Sequence, residues 1–97
     1  MDLMQMTWLL EALKDNKLSL SQYVTLRLLC LGNYSVRDIN NHLAHSEAAT
    51  CEMVQQLAAR GLVLKVRLKS DERKIMVRLT DAGRELMRKI NQSIGDE

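Results

Sequence analysis

A mainly α domain with one small β-hairpin is what this sequence predicts, and three observations carry the prediction. Ser19, Ser35, Ser46 and Thr80 each stand just ahead of an apolar-periodic run, where a short hydroxyl side chain caps a helix. Residues 35–44 and 46–60 read as two short helices separated by a tight turn. Residues 62–69 and 74–79 alternate with period two on either side of a polar turn, the signature of a hairpin. Helices flanking such a pair and such a ribbon make a winged helix-turn-helix, a fold used mainly to bind DNA.

The first helix is expected within residues 1–16. Leu3, Met6, Leu10 and Leu13 lie on one helical face, and Met1, Met4, Trp8 and Ala12 form a second stripe nearly opposite. A helix apolar on two sides is buried on two sides, so the second stripe is expected to meet another chain. The competing reading is a core helix with a loose Met-rich flank. A second helix, residues 19–31, starts from a capping box between Ser19 and Gln22 and is expected to stop at Gly32. It is apolar almost all round and therefore central, with Cys30 in the core. Ser35 forms a capping box with Asp38 and opens the helix 35–44, which buries Val36, Ile39 and Leu43.

After a turn at Ala44-His45, Ser46 caps the helix 46–60, whose buried side is Thr50, Met53, Val54, Leu57 and Ala58 and which ends at Gly61. In the hairpin, 62–79, Leu62, Leu64, Val66 and Leu68 are expected on one face, with Val63, Lys65, Arg67 and Lys69 on the other. Thr80 caps the last helix, 80–94, with Ala82, Leu86, Met87, Ile90 and Ile94 as its apolar stripe, fraying at residues 95–97.

Length and composition set the frame. Ninety-seven residues make one domain with a small core, of a size that often gains stability from a partner. A net charge of +2 is too small to argue for nucleic acid, but its distribution is uneven. Residues 1–60 hold slightly more acid than base, and the hairpin carries Lys65, Arg67, Lys69, Arg73, Lys74 and Arg78 against Asp71 and Glu72. No apolar run is long enough for a membrane span, and the first residues lack a basic leader. Cys30 and Cys51 are too few for a disulfide framework, so a reduced, cytoplasmic protein is expected.

At the level of motifs, the chain resembles the multiple-antibiotic-resistance-regulator (MarR) family of winged-helix transcription factors. Leu18-Ser19-Leu20-Ser21-Gln22-Tyr23 is similar to the family's entry to its second helix, and Val36-Arg37-Asp38-Ile39 with Leu43 to its third. Leu57-Ala58-Ala59-Arg60-Gly61-Leu62-Val63 resembles the end of the recognition helix. Asp71-Glu72-Arg73 and Val77-Arg78-Leu79-Thr80-Asp81-Ala82-Gly83-Arg84 resemble the wing and the start of the next helix. The likeness covers about residues 18–90, and its wing-to-helix block is the specific part.

The resemblance implies a homodimer on double-stranded DNA, with recognition helices in successive major grooves and wings in the adjacent minor grooves. Ser46, Ala49, Glu52, Gln55 and Gln56 would face the bases. Arg73 would enter the minor groove with Asp71 bracing it, and Lys65, Arg67, Lys69 and Lys74 would meet phosphates. The dimer would rest on Met1, Met4 and Trp8 with Leu86, Ile90 and Ile94. The recognition helix departs from the pattern: its outward side has no positive charge before Arg60, and Glu47 and Glu52 oppose phosphates. Glutamine still reads adenine, glutamate accepts from cytosine and alanine meets a thymine methyl.

Competing readings stand beside these. Alternating Lys and Arg also protect an exposed strand edge, and a winged helix adapted to bind a protein would carry the same acidic helix. Cys51 as a redox switch stands against Cys51 as a half-buried small residue with no resolving partner nearby in sequence. His42, His45 and Glu47 fall short of a metal site, so no metal and no cofactor is expected. No Gly-rich phosphate loop and no spacing suggestive of a nucleophile, base and acid is present, so an enzyme is not expected.

Overall fold

A computed structural model describes residues 1–68 and 70–95, the side chains of residues 68 and 71–73 excepted. Among the described residues, five helices and three strands follow one another as α1 (Leu3–Asp15), α2 (Leu20–Leu29), β1 (Tyr34–Ser35), α3 (Val36–Leu43), α4 (Glu47–Ala59), β2 (Val63–Leu68), β3 (Asp71–Leu79) and α5 (Asp81–Ser93). The sheet is antiparallel in the order β1-β3-β2. Its third strand, β1, was not expected. Tyr34 and Ser35 pair with Val77 and Met76, while Ser35 also caps α3, so strand and cap share one residue.

The hydroxyl caps form as the spacing predicts. Ser19 with Gln22 and Ser35 with Asp38 make full capping boxes, each satisfying two orphan amides. Ser46 Oγ accepts from Ala49 N at 3.1 Å, and Thr80 Oγ1 from Gly83 N at 3.0 Å. A further box, Asp2 with Gln5, starts α1. Helix α4 ends in a Schellman turn: Gly61 takes φ +74°, Leu62 N donates to Leu57 O and Gly61 N to Ala58 O. The same turn ends α1, but there Lys17 takes the left-handed position at φ 53°. Gly32, the expected stop of α2, has no left-handed φ; Cys30 caps that helix in a helical conformation.

One core joins every helix to the sheet. Leu26 and Leu29 of α2, Ile39 of α3, Val54 and Leu57 of α4, Val63 and Val77 of the sheet, and Met87, Ile90 and Ile94 are all essentially inaccessible. Burial of side chains this size stabilises by about 1.5–3 kcal/mol each. Tyr23 Oη donates to Asn91 Oδ1 at 3.2 Å and accepts from Arg27 at 2.8 Å, tying α2 to α5 through a buried tyrosine.

Three expectations about faces need correction. Helix α1 buries Leu9, Ala12 and Leu13, whereas Leu3, Met6 and Leu10 are exposed together with Met1, Met4 and Trp8. The two stripes read from periodicity flank the true core line. In the ribbon, Val63 pairs with Leu79 and Lys65 with Val77, while Leu64 and Val66 lie opposite Arg78 and Met76 and are exposed. The inner face is therefore Val63-Val77-Leu79 at the ribbon's base, and Leu62 is buried just ahead of the strand. Cys30 is exposed at the end of α2 and not in the core. Partial burial still pushes its thiol pKa up, against the opposing pull of Arg84 and Arg27.

Candidate nucleic-acid interface

Helix α4 stands on a buried base of Thr50, Met53, Val54 and Leu57 and turns Ala48, Ala49, Glu52, Gln55, Gln56 and Ala59 to solvent. The expected outward residues thus share one exposed face, with Ser46 at its start. Cys51 is exposed on the same helix rather than half-buried.

The turn before α4 is held by a polar cluster around the buried Thr50. Thr50 is inaccessible, and its hydroxyl reaches Ser46 O at 3.1 Å. With its amide nitrogen directed into the turn, Asn40 donates to His45 O at 2.8 Å, Ser46 O at 3.1 Å and Thr50 Oγ1 at 2.7 Å. One side chain of α3 therefore closes the turn that sets the angle of α4, and Ala44 accommodates it by adopting φ 56°. At the head of α3, hydrogen bonds from Ser35 hold the Asp38 carboxyl below its ordinary range, with Lys74 and Arg37 reinforcing the effect.

Beside α4 lies the start of α2. A groove between them is lined by Ser19, Ser21, Gln22, His45, Ala49, Glu52, Met53 and Gln56. Gln22 Nε2 donates to Gln56 Oε1 at 3.3 Å, and Ser21 Oγ lies 3.4 Å from His45 Nε2. In the sequence, Gln22 is half of a capping box and part of the motif that enters α2, with no sign of a neighbour on α4. Nothing in the spacing of residues 22 and 56 announces their contact, because it depends on how two helices pack.

Arg60, the base that closes α4, is committed elsewhere. Its guanidinium donates to Asn16 O at 2.8 Å and to Lys17 O at 3.1 Å, the carbonyls of the turn after α1. On the ribbon and just beyond it, Lys65 and Arg67 on β2, Lys74 and Arg78 on β3, and Arg84 on α5 are exposed, as are Lys14, Lys17 and Arg37 earlier in the chain. Lys65 and Arg67 fall on one side of the ribbon and Arg78 on the other, since Arg78 pairs with Leu64. Lys69 and the side chains of Asp71 and Arg73 lie outside the described residues.

The expected dimer residues divide. Met4 and Trp8 are exposed on α1, and Met1 just ahead of it. Leu86 is half-buried against the core, and Ile90 and Ile94 are buried within it, so these two belong to the chain's own interior and are not surface. Among the described residues, no group of three His, Cys, Asp or Glu side chains is placed to hold a metal ion. No helix among them is long and apolar enough to cross a membrane.

The fold is shared with MarR-type regulators. YusO from Bacillus subtilis superposes with a TM-score of 0.85 at 21% identity, over 94% of this chain and 65% of that one. A mutant MarR from E. coli complexed with operator DNA gives 0.82 at 22%, over 94% and 66%. The regulator BldR from Sulfolobus solfataricus gives 0.80 at 24%, over 92% and 64%. The chain thus spans about two thirds of the length of these proteins. No curated protein sequence matches it. The model of the transcriptional regulator SarA/Rot family, however, matches residues 9–90, from the core line of α1 through α4 and the ribbon into α5. With most of its length matched and a MarR-like winged helix formed over that length, this chain belongs to the SarA/Rot family of transcriptional regulators.

Proposed function

We propose that the chain is a DNA-binding transcriptional regulator that works as a homodimer, with α4 in the major groove and the β2–β3 ribbon over the adjacent minor groove. The observation that carries this reading is the juxtaposition of an exposed, rigidly based α4 with a ribbon bearing exposed Lys65, Arg67, Lys74 and Arg78. Two proteins of the same fold support it: the E. coli MarR complexed with operator DNA and a MepR from S. aureus bound to an oligodeoxyribonucleotide. Ser46, Ala49, Glu52, Gln55 and Gln56 then face base edges, while Lys65, Arg67, Lys69 and Lys74 neutralise phosphates. Arg73, with Asp71 beside it, takes the minor groove, where a narrow, electronegative channel favours a guanidinium.

Because α4 itself offers Glu47 and Glu52 and has Arg60 tied to the α1 turn, the ribbon supplies most of the attraction. That assignment predicts a steep fall of log affinity with log salt. The double variant Lys65→Ala/Arg67→Ala should flatten the slope by about 0.9 for each phosphate contact removed. Fluorescence anisotropy on duplex DNA across a salt series measures it. An unchanged slope removes these residues from the contact set.

A second reading, a winged helix that binds another protein and touches DNA weakly or not at all, is favoured by the acidic outer side of α4. Absence of DNA retention by the wild-type chain at low salt would decide for it.

Dimerisation is read from α1. Five large apolar side chains of α1 (Leu3, Met4, Met6, Trp8 and Leu10) remain exposed, with Met1 just ahead of them, a concentration that a second copy covers. Trp8→Glu is expected to convert a dimer to a monomer in light scattering; a wild-type chain that is already monomeric refutes the homodimer.

A further inference from the structure

Amide polarity at the recognition surface is fixed from outside the recognition helix. Gln22 cannot turn its side chain over freely. Its Oε1 accepts the backbone N–H of Ser19 at 2.9 Å as the reciprocal half of the α2 capping box, a position only an acceptor can fill. Its Nε2 must therefore point the other way, and it meets Gln56 Oε1 at 3.3 Å. A donor there demands an acceptor, so Gln56 in turn presents its oxygen to α2 and its amide nitrogen away from it. Three groups form one directional chain: backbone amide to Gln22, Gln22 to Gln56, and Gln56 outward from an exposed position on α4.

We propose that Gln56 is a specificity-determining residue held with its donor outward, and that Gln22 is the positioning residue that holds it there. This rests on the DNA-binding reading given above. An unrestrained glutamine offers a base edge either its oxygen or its nitrogen, and so reads several bases alike. A glutamine whose oxygen is turned toward Gln22 presents its nitrogen outward, and so offers a base its donor side. In the major groove it is satisfied by guanine O6 or N7, adenine N7 or thymine O4, and it is left unmatched by the N4 amino group of cytosine. Burial of an unmatched donor against an amino group is the penalty that produces discrimination.

Gln22→Glu reverses the chain without breaking the cap. A glutamate at the third position of a capping box still accepts from the cap amide, but it has no hydrogen to give to Gln56. Gln56 must then donate to the introduced carboxylate and present its oxygen outward, matching cytosine N4 or adenine N6. Gln56→Glu reaches the same outward acceptor directly, at an exposed position where folding is not at stake. Gln56→Ala removes the reading altogether.

Selection of bound duplexes from a random library, followed by sequencing, tests this with the full chain. Wild type should enrich a motif with about a three- to tenfold preference against cytosine at one position per half-site, the range a single net hydrogen bond supplies. Gln22→Glu and Gln56→Glu should both move that same position toward cytosine or adenine, and Gln56→Ala should flatten it, with the other positions unchanged. The added negative charge lowers affinity for all sequences alike, so it does not imitate a change at one position. Identical motifs for wild type and both glutamate variants overturn the relay while leaving DNA binding intact. A wild-type chain that enriches no motif overturns the relay together with the reading it rests on.

Discussion

Replacing Gly83 with alanine should cost several kcal/mol of stability, on the order of 3–5, although alanine is the better helix former by about 1 kcal/mol. Gly83 sits in the first turn of α5. A Cβ there would lie 2.2 Å from the carbonyl oxygen of Leu62, 3.2 Å from that residue's carbonyl carbon and 3.0 Å from Leu79 Cδ2. The obstacle is backbone and cannot rotate away. It is also pinned, because Leu62 O accepts Thr80 N at 3.1 Å and Thr80 Oγ1 donates to Gly61 O at 2.6 Å. Relief requires α5 to lift from the end of α4, which opens the core around Met87 and Ile90. Urea denaturation monitored by circular dichroism should show a large fall in midpoint. Gly32→Ala is the matched control: its added carbon finds nothing closer than 3.9 Å and no left-handed φ is required. It should be neutral or stabilising by about 0.4–1 kcal/mol.

Leu57→Ala is expected to destabilise by about 2–5 kcal/mol, the range for emptying a fully buried leucine site that relaxes incompletely. Leu57 is inaccessible, sits on the inner side of α4, and has its carbonyl engaged by Leu62 N in the turn that leads into the ribbon. Against a total stability on the order of 5–15 kcal/mol, that loss is a large share of what holds the fold together. Leu31→Ala removes the same atoms from a side chain that is 79% exposed and should change stability by less than about 0.5 kcal/mol. The difference in chemical-denaturation midpoints between the two variants measures burial alone, and equal midpoints would remove Leu57 from the core.

Much of this architecture was legible in the sequence because caps and alternation are local signals. Ser19, Ser35, Ser46 and Thr80 each start the helix they were expected to start, and Gly61 ends α4 with the left-handed φ its position implied. Faces were harder. A helix that is apolar nearly all round, as α1 is, carries too little contrast to reveal that Leu9, rather than Leu3 or Trp8, lies on the core line. In the ribbon, period two was correct but its phase was not. Leu62 is buried before the strand begins, so counting inward residues from it placed Leu64 and Val66 on the wrong side. β1 escaped because a two-residue strand has no period to read.

The interface shows the same division. The outward side of α4 followed from its buried side. The engagement of Gln22 with Gln56, of Asn40 with the turn, and of Arg60 with the end of α1 could not follow, since each joins residues on different elements. Long-range hydrogen bonds are products of packing and leave no spacing behind.

The clasp made by Arg60 has a mechanical meaning. The rear of α4 and the rear of α1 are joined at a single point by two hydrogen bonds from a planar, rigid group. Each of these helices ends there in its own Schellman turn, so two stiff rods share one hinge pin. In a pair of chains joined through α1, the clasp would tie the seating of α4 to that of the shared helix. A shift of α1 in such a pair would bear on the end of α4 through these two hydrogen bonds.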